Sequence, residues 1–122
     1  MELTSDNEKP IFLQLAEEIE DDILKGIFEE ESQIPSTTEV AINFKMNPAT
    51  ANRGVNILVE EGIIYKKRGI GMFVATGARE KIINKRKAAF FIDFIQPLLK
   101  ESENLKLTKN EIIAMIERGF GK

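Results

Sequence analysis

Apolar side chains recur along this chain in helical rhythm, then in alternation, then in helical rhythm again. From Pro10 to about Lys25, the residues Phe12, Leu15, Ala16, Ile19 and Ile23 return every three or four positions and so share one helix face. Glu17, Glu18, Glu20, Asp21 and Asp22 fall largely on the other side and read as a solvated face. Gly26 lies just beyond the expected helix end. Ile27 and Phe28 are expected to cover the end of a small core. The acidic turn Glu29-Glu30-Glu31-Ser32 then leads through Gln33-Ile34-Pro35 into the next helix.

Ser36-Thr37-Thr38-Glu39 forms a capping box, in which the Ser36 hydroxyl meets the Glu39 amide and the Glu39 carboxylate meets the Ser36 amide. Val40, Ala41 and Phe44 follow on one face. A second helix opens at Asn47-Pro48, a good cap followed by a residue that gives up only an unpartnered N–H. Its apolar face is Ala51, Val55, Leu58 and Val59, and Gly62 ends it. Two short helices joined by a tight turn suit a helix-turn-helix, whose second helix enters the major groove by its N-terminal residues. Next, Ile63-Ile64-Tyr65 and Met72-Phe73-Val74 flank Lys66-Lys67-Arg68-Gly69-Ile70-Gly71, which reads as a two-stranded β-hairpin with a basic turn.

After a short connection over residues 75–79, a long helix is expected from about Ala78 to about Lys100. Its first half carries Arg79, Lys81, Lys85, Arg86 and Lys87. Its second half, AAFFIDFIQPLL, is apolar on nearly every side and must be covered on nearly every side. Pro97 should end or kink it. A polar connection over residues 101–107 precedes another capping box, Thr108-Lys109-Asn110-Glu111, and a last helix with Ile112, Ile113, Met115 and Ile116, closed by Gly119. One side of the long helix is expected to pack on this last helix, through Ile112, Ile113 and Ile116. Residues 1–9 are polar and expected to be loose. The reading is therefore mainly α with a small β-hairpin wing: residues 1–76 a winged helix-turn-helix, residues 77–122 a helical tail.

Composition narrows the chemistry. The 122 residues include no cysteine and no histidine, so disulfides, thiolate chemistry, imidazole bases and the usual zinc, copper or iron sites are not expected. No nucleophile is paired with a base and no glycine loop has nucleotide-binding spacing, so neither an enzyme nor a cofactor is expected. No run is long enough to span a bilayer and no basic-then-apolar signal follows Met1, so a cytoplasmic protein with no membrane partner is expected. The net charge of −3 hides an asymmetry. Residues 1–34 set Lys9 and Lys25 against eleven acids, whereas residues 35–76 hold five cations against three acids and residues 77–122 ten against six. Nucleic-acid affinity follows the local field, so the acidic segment should face away from DNA.

The stretches PIFLQLAEEIEDDILKG, IPSTTEVA, MNPATANRGVNILVEEGII and KKRGIGMFV, in this order, resemble the winged-helix domain of the GntR family of bacterial transcription regulators. Asn47-Pro48 and the short tail look most like its YtrA-type subfamily. The resemblance implies a homodimeric regulator, a repressor on a roughly palindromic operator, in relatives often of a transporter operon. It implies a DNA-facing set that includes Ser36, Thr37, Thr38, Pro48 and the wing glycine Gly69. The family usually carries a DNA-contacting arginine where this chain has Thr38, and often arginine or glutamine where it has Asn52.

The residues themselves add candidates. Ala49, Asn52, Arg53 and Asn56 occupy exposed early positions of the second helix; Asn52 can pair with adenine, or serve as plain polar surface. Arg53 is either a DNA contact or a surface arginine paired with Glu60 or another acid. Asn47 is a cap that can face a phosphate, and Thr50 can offer a hydroxyl and an amide to one. Lys66, Lys67 and Arg68 suit a phosphate backbone, against the alternative of a solvated tip. Phe90, Phe91 and Phe94 read as core and dimer packing in preference to a ligand box, and Leu98 shares with Phe90 and Phe94 the face left for a dimer partner. The tail from Gly77 leaves no room for a separate effector domain, although a small-molecule effector can still sit at a dimer interface. A protein-interaction module is the alternative function, with the acidic first helix docking a basic partner.

Overall fold

In the computed structural model, which describes residues 9–121, the first apolar stripe becomes helix α1, Ile11–Leu24. The expectation for the loose N-terminal residues falls on positions 1–8, outside the described residues. Leu15, Ala16, Ile19 and Ile23 are buried. The helix ends as its sequence implies: Gly26 adopts φ +82°, and the Ile27 amide returns to the Asp22 carbonyl at 2.9 Å. The acidic side is less solvated than its composition implies. Glu17 is exposed and pairs with Lys9 at 2.6 Å, but Glu18 and Glu20 are only 8% and 2% exposed. They flank the apolar stripe, Glu18 beside Leu15 and Glu20 one turn from Ala16, so helical geometry carries them inward. Asp22 is half-buried, and desolvation pushes its carboxyl above the ordinary range. Phe28 packs partly on the core, whereas Ile27 is 63% exposed and covers nothing.

The wing has a strand that the sequence pattern does not announce. β1, Gln33–Ile34, pairs antiparallel with β3, Gly71–Val74, which also pairs with β2, Ile64–Lys67, so the sheet is three-stranded in the order β1-β3-β2. Ile34, Ile64, Met72 and Val74 point into the core, and Gln33, Tyr65 and Phe73 lie on the opposite face. The preceding acidic turn also has structure. Glu31 adopts φ +65° and its amide donates to the Val74 carbonyl at 2.7 Å. The Glu31 carboxylate accepts the Tyr65 hydroxyl at 2.6 Å, the Thr76 hydroxyl at 2.6 Å and the Thr76 amide at 3.0 Å. Glu30 accepts the amides of Gly77 and Arg79 at 2.9 and 3.1 Å. It thereby caps helix α4, Ala78–Phe90. Both carboxyls are held below their ordinary range, Glu30 by those two amides and Glu31 first by the Thr76 hydroxyl and then by Tyr65.

Helix α2, Thr37–Asn43, starts at the Ser36–Glu39 capping box, with bonds of 3.1 and 2.8 Å. Lys45 turns the chain at φ +53°, and the Met46 amide returns to the Ala41 carbonyl at 2.9 Å. Helix α3, Pro48–Glu60, buries Ala51, Gly54, Val55 and Leu58. It packs across α1 and against α2. Gly54 makes the α1 contact possible: a Cβ there would lie 2.7 Å from the Phe12 carbonyl oxygen and 3.1 Å from the Leu15 side chain.

The chain divides into two units, Met1–Asn84 and Lys85–Lys122. The first unit keeps the start of α4, because Ala78 and Ile82 are fully buried in its core. Two basic residues of that segment close helix ends. Arg79 donates to the Leu24 carbonyl at 3.3 Å, and Lys81 to the Gly62 carbonyl at 3.2 Å, where α1 and α3 present unpaired acceptors.

In the second unit the expected long helix is interrupted. A π-helical turn, Phe91–Ile95, separates α4 from α5, Gln96–Asn104. The Gln96 amide reaches back five residues to the Phe91 carbonyl. This wide turn accommodates Pro97, which has no N–H to give, so the helix restarts there and runs to Asn104, past the expected end at Lys100. Helix α6, Lys109–Gly119, opens at the Thr108–Glu111 capping box. Leu98, Leu105, Leu107, Ile112, Met115 and Ile116 line an apolar groove. The packing is looser than the apolar pattern implies: α6 has no buried residue, and Ile113 and Ile116 stay exposed.

Gly54→Ala tests the close approach of α1 and α3. Alanine favours a helix interior by about 1 kcal/mol over glycine, but the obstacle is a backbone oxygen, and overpacking costs roughly 1–3 kcal/mol. The variant should melt several degrees below the parent in a thermal scan. An unchanged or raised midpoint would show that the two helices separate freely.

Candidate nucleic-acid interface

The outer face of α3 is built from its first turns outward. Asn47 caps the helix by accepting the Ala49 amide at 2.7 Å, and Pro48 fills the first position. The remaining amides of this end carry the positive end of the helix dipole, which favours an anion. Pro48, Ala49, Asn52 and Arg53 are exposed, while Thr50 and Asn56 are half-buried. Ala49, Asn52, Arg53, Asn56, Ile57 and Glu60 line one shallow, open depression along the helix. Beyond the expected Asn56, steps of three and four residues extend the same face to Ile57 and Glu60, and Glu60 sets an acid at its far end.

Arg53 is the only cation in α3 and has an aromatic partner. Its guanidinium carbon lies 3.9 Å from the centroid of the Phe12 ring. Among the described residues no carboxylate pairs with it, so the expected alternative of a Glu60 ion pair is replaced by a cation–π stack. Phe12 itself is half-buried and stands outside the core cluster where periodicity placed it.

The start of α2 presents less than its sequence implies. The Ser36 hydroxyl is occupied in the capping box. Thr37 is half-buried, and its hydroxyl faces the Met72 sulfur at 3.6 Å. Thr38 is exposed.

The basic run of the wing is spread over strand and turn. Lys66 and Lys67 belong to β2, opposite Met72 and Gly71, and therefore leave the sheet on opposite faces. Lys67 lies with its ammonium nitrogen 5.0 Å from the centroid of Phe73, whose ring stacks on Tyr65 with centroids 5.6 Å apart. Only Arg68, Gly69 and Ile70 form the turn, closed by the Ile70 amide on the Lys67 carbonyl at 2.9 Å. Gly69 sits at φ +77° in open space, so the turn needs glycine for its conformation. Gly71, at φ +148°, is also held in a conformation that favours glycine, and it lies beside the side-chain amide of Gln33, which donates to the Ile70 carbonyl at 3.1 Å and ties the tip to β1. Lys66, Lys67, Arg68 and Gly69 are all exposed. Sequence reasoning missed the supports, namely Phe12, Phe73 and Gln33, because a support shows only once strands and helices are paired.

Among the described residues, no group of acidic side chains is placed to hold a metal ion, and no helix is long and apolar enough to cross a membrane.

Comparison with known proteins identifies the family and the fold. The family described as bacterial regulatory proteins, gntR family, matches residues 12–74. The HTH-type transcriptional regulator YhcF of Bacillus subtilis is 31% identical over 109 residues, covering 89% of this chain and 88% of that protein. A crystal structure assigned to the GntR transcriptional regulators, from Bacteroides thetaiotaomicron, superposes with a TM-score of 0.75 at 38% identity, over 91% of this chain and 96% of that one. The DNA-binding domain of AraR, solved in complex with an operator, superposes with a TM-score of 0.54 at 29% identity, over 62% of this chain and 90% of that one.

If the wing meets phosphates, each contacting cation releases counterions, with a salt slope near −0.9 per contact. Alanine at Lys66, Lys67 or Arg68 should then flatten the log–log salt dependence of DNA affinity by about one unit, and weaken all sequences alike. An unchanged slope in all three single variants would remove the wing from the interface.

Proposed function

This chain belongs to the GntR family of bacterial transcription regulators, and from that premise we propose that it acts as a homodimeric repressor that reads a roughly palindromic operator. The α3 face would supply base contacts through Ala49, Asn52, Arg53 and Asn56. Thr38, Asn47, Pro48, Thr50, Lys66, Lys67, Arg68 and Gly69 would meet the DNA backbone around it. Ser36 and Thr37 would hold α2 in place and offer at most backbone contacts. Repression would follow from occlusion of a promoter, without an enzymatic step.

The observation that carries the dimer is the exposed apolar surface of the second unit. Phe90, Phe91, Ile92 and Phe94 are 52–64% exposed, and Leu98 and Leu99 remain partly open. Phe90 and Phe94 stand one turn apart with ring centroids 5.3 Å from each other, forming one aromatic strip. A surface of this kind, in a unit with so little core of its own, calls for a partner. Two-fold association would cover it with its own copy. Burying each phenylalanine side chain contributes roughly 1.5–3 kcal/mol. Pairing also makes binding at the second half-site effectively intramolecular.

Selection of bound duplex from a random pool should return a two-fold symmetric sequence. Phe94→Asp would place an unpaired charge in each copy of the interface. It should yield a folded monomer by light scattering with a large loss of operator affinity in a gel-shift titration. A wild type that is monomeric and binds tightly, or a Phe94→Asp chain that stays dimeric, would refute this role of the tail. Failure to enrich any sequence, with retention of protein partners instead, would favour an interaction module.

A further inference from the structure

A half-buried phenylalanine outside the core needs a reason to be aromatic. Phe12 has one in Arg53, whose guanidinium stacks on its ring at 3.9 Å. The stack depends on backbone geometry. Gly54 follows Arg53 directly, and its missing Cβ lets the Phe12 carbonyl of α1 come within what would be 2.7 Å of that atom. The tight contact of α1 with α3 at Gly54 therefore involves the residue whose ring meets the arginine.

The chemistry of the stack suits base reading. A ring engages the flat face of a guanidinium and leaves the N–H groups at its edge free. Among the described residues none of those N–H groups is taken by an acceptor. A free arginine rotates through many rotamers, and a stacked one presents its edge in one direction. That edge matches the two major-groove acceptors of guanine.

Resting on the DNA-reading role given to α3, we infer that Phe12 is a positioning residue for sequence recognition: its ring holds the Arg53 guanidinium edge-on toward one guanine of each half-site. Phe12 touches no DNA itself and acts only through Arg53.

The test uses the full chain and the duplex returned by random-pool selection, at one salt concentration. Affinities are measured for that duplex and for variants carrying each alternative base at every half-site position. Arg53→Ala should remove the preference at one base pair per half-site, by about tenfold to a hundredfold. Phe12→Leu keeps an apolar side chain but offers no π face. It should weaken the preference at that same base pair by about two- to fivefold, the size of an exposed cation–π contact, and leave other positions unchanged. Phe12→Tyr should restore it. In the Arg53→Ala background, Phe12→Leu should cost nothing further, since the ring then has nothing to hold. Phe12→Met repeats the test if circular dichroism shows that leucine impairs folding. The inference falls if Phe12→Leu leaves the base profile intact, if it weakens all sequences evenly, or if Arg53→Ala leaves the profile intact. A wild type that selects no duplex would instead overturn the DNA-reading role itself.

Discussion

The constraint on which the reading face depends is the contact between α1 and α3 at Gly54, where the neighbouring atom is backbone and cannot swing aside. Only a residue without a side chain lets the Phe12 carbonyl approach so near. It brings Leu15 of α1 against Gly54, and Leu15, Val55 and Leu58, all fully buried, share one core. It also sets the angle at which α3 presents its outer face. The capping of α3 by Asn47, the sharp turn at Lys45 and the packing of Val40 and Ala41 then hold the helix in register around that contact.

Charge in this chain works locally. The acids that dominate the first 34 residues do not act as one negative surface. Glu30 and Glu31 are spent on backbone amides and hydroxyls at the junction of the wing with α4, and Glu18 and Glu20 are turned inward. Arg79 and Lys81 likewise close the ends of α1 and α3. The cations left presented on the outside of the first unit's helix-turn-helix and wing include Arg53, Lys66, Lys67 and Arg68. A net charge of −3 is therefore compatible with a basic reading face.

The sequence made the helix-turn-helix legible because its signals are local. Both capping boxes, the Asn47-Pro48 start and the stops at Gly26 and Gly62 are each written within four residues and appear as read, whereas Gly119 is still the last residue of α6 and the left-handed turn falls at Gly121, φ +89°. β1 was not legible, because two residues cannot display an alternation. The inward turn of Glu18 and Glu20 was hidden because composition marks a residue as charged but not how wide the apolar stripe beside it becomes. The break at residues 91–95 was foreseeable in part: Pro97 announced a disturbance, but not that a wide turn would let the helix resume. At the candidate site, periodicity found the exposed face of α3. It could not find Phe12 beneath Arg53, forty-one positions away, since that pairing exists only after α1 crosses α3.

The central claim is that DNA lies against α3 and the wing while α1 faces away. Hydrogen–deuterium exchange of the full chain, with and without its selected duplex, tests this most directly. The account predicts new protection at the start of α2, over residues 47–56 and over 64–71, with exchange of residues 17–22 unchanged. Protection concentrated on residues 17–22, with the α3 and wing segments unaffected, would contradict it.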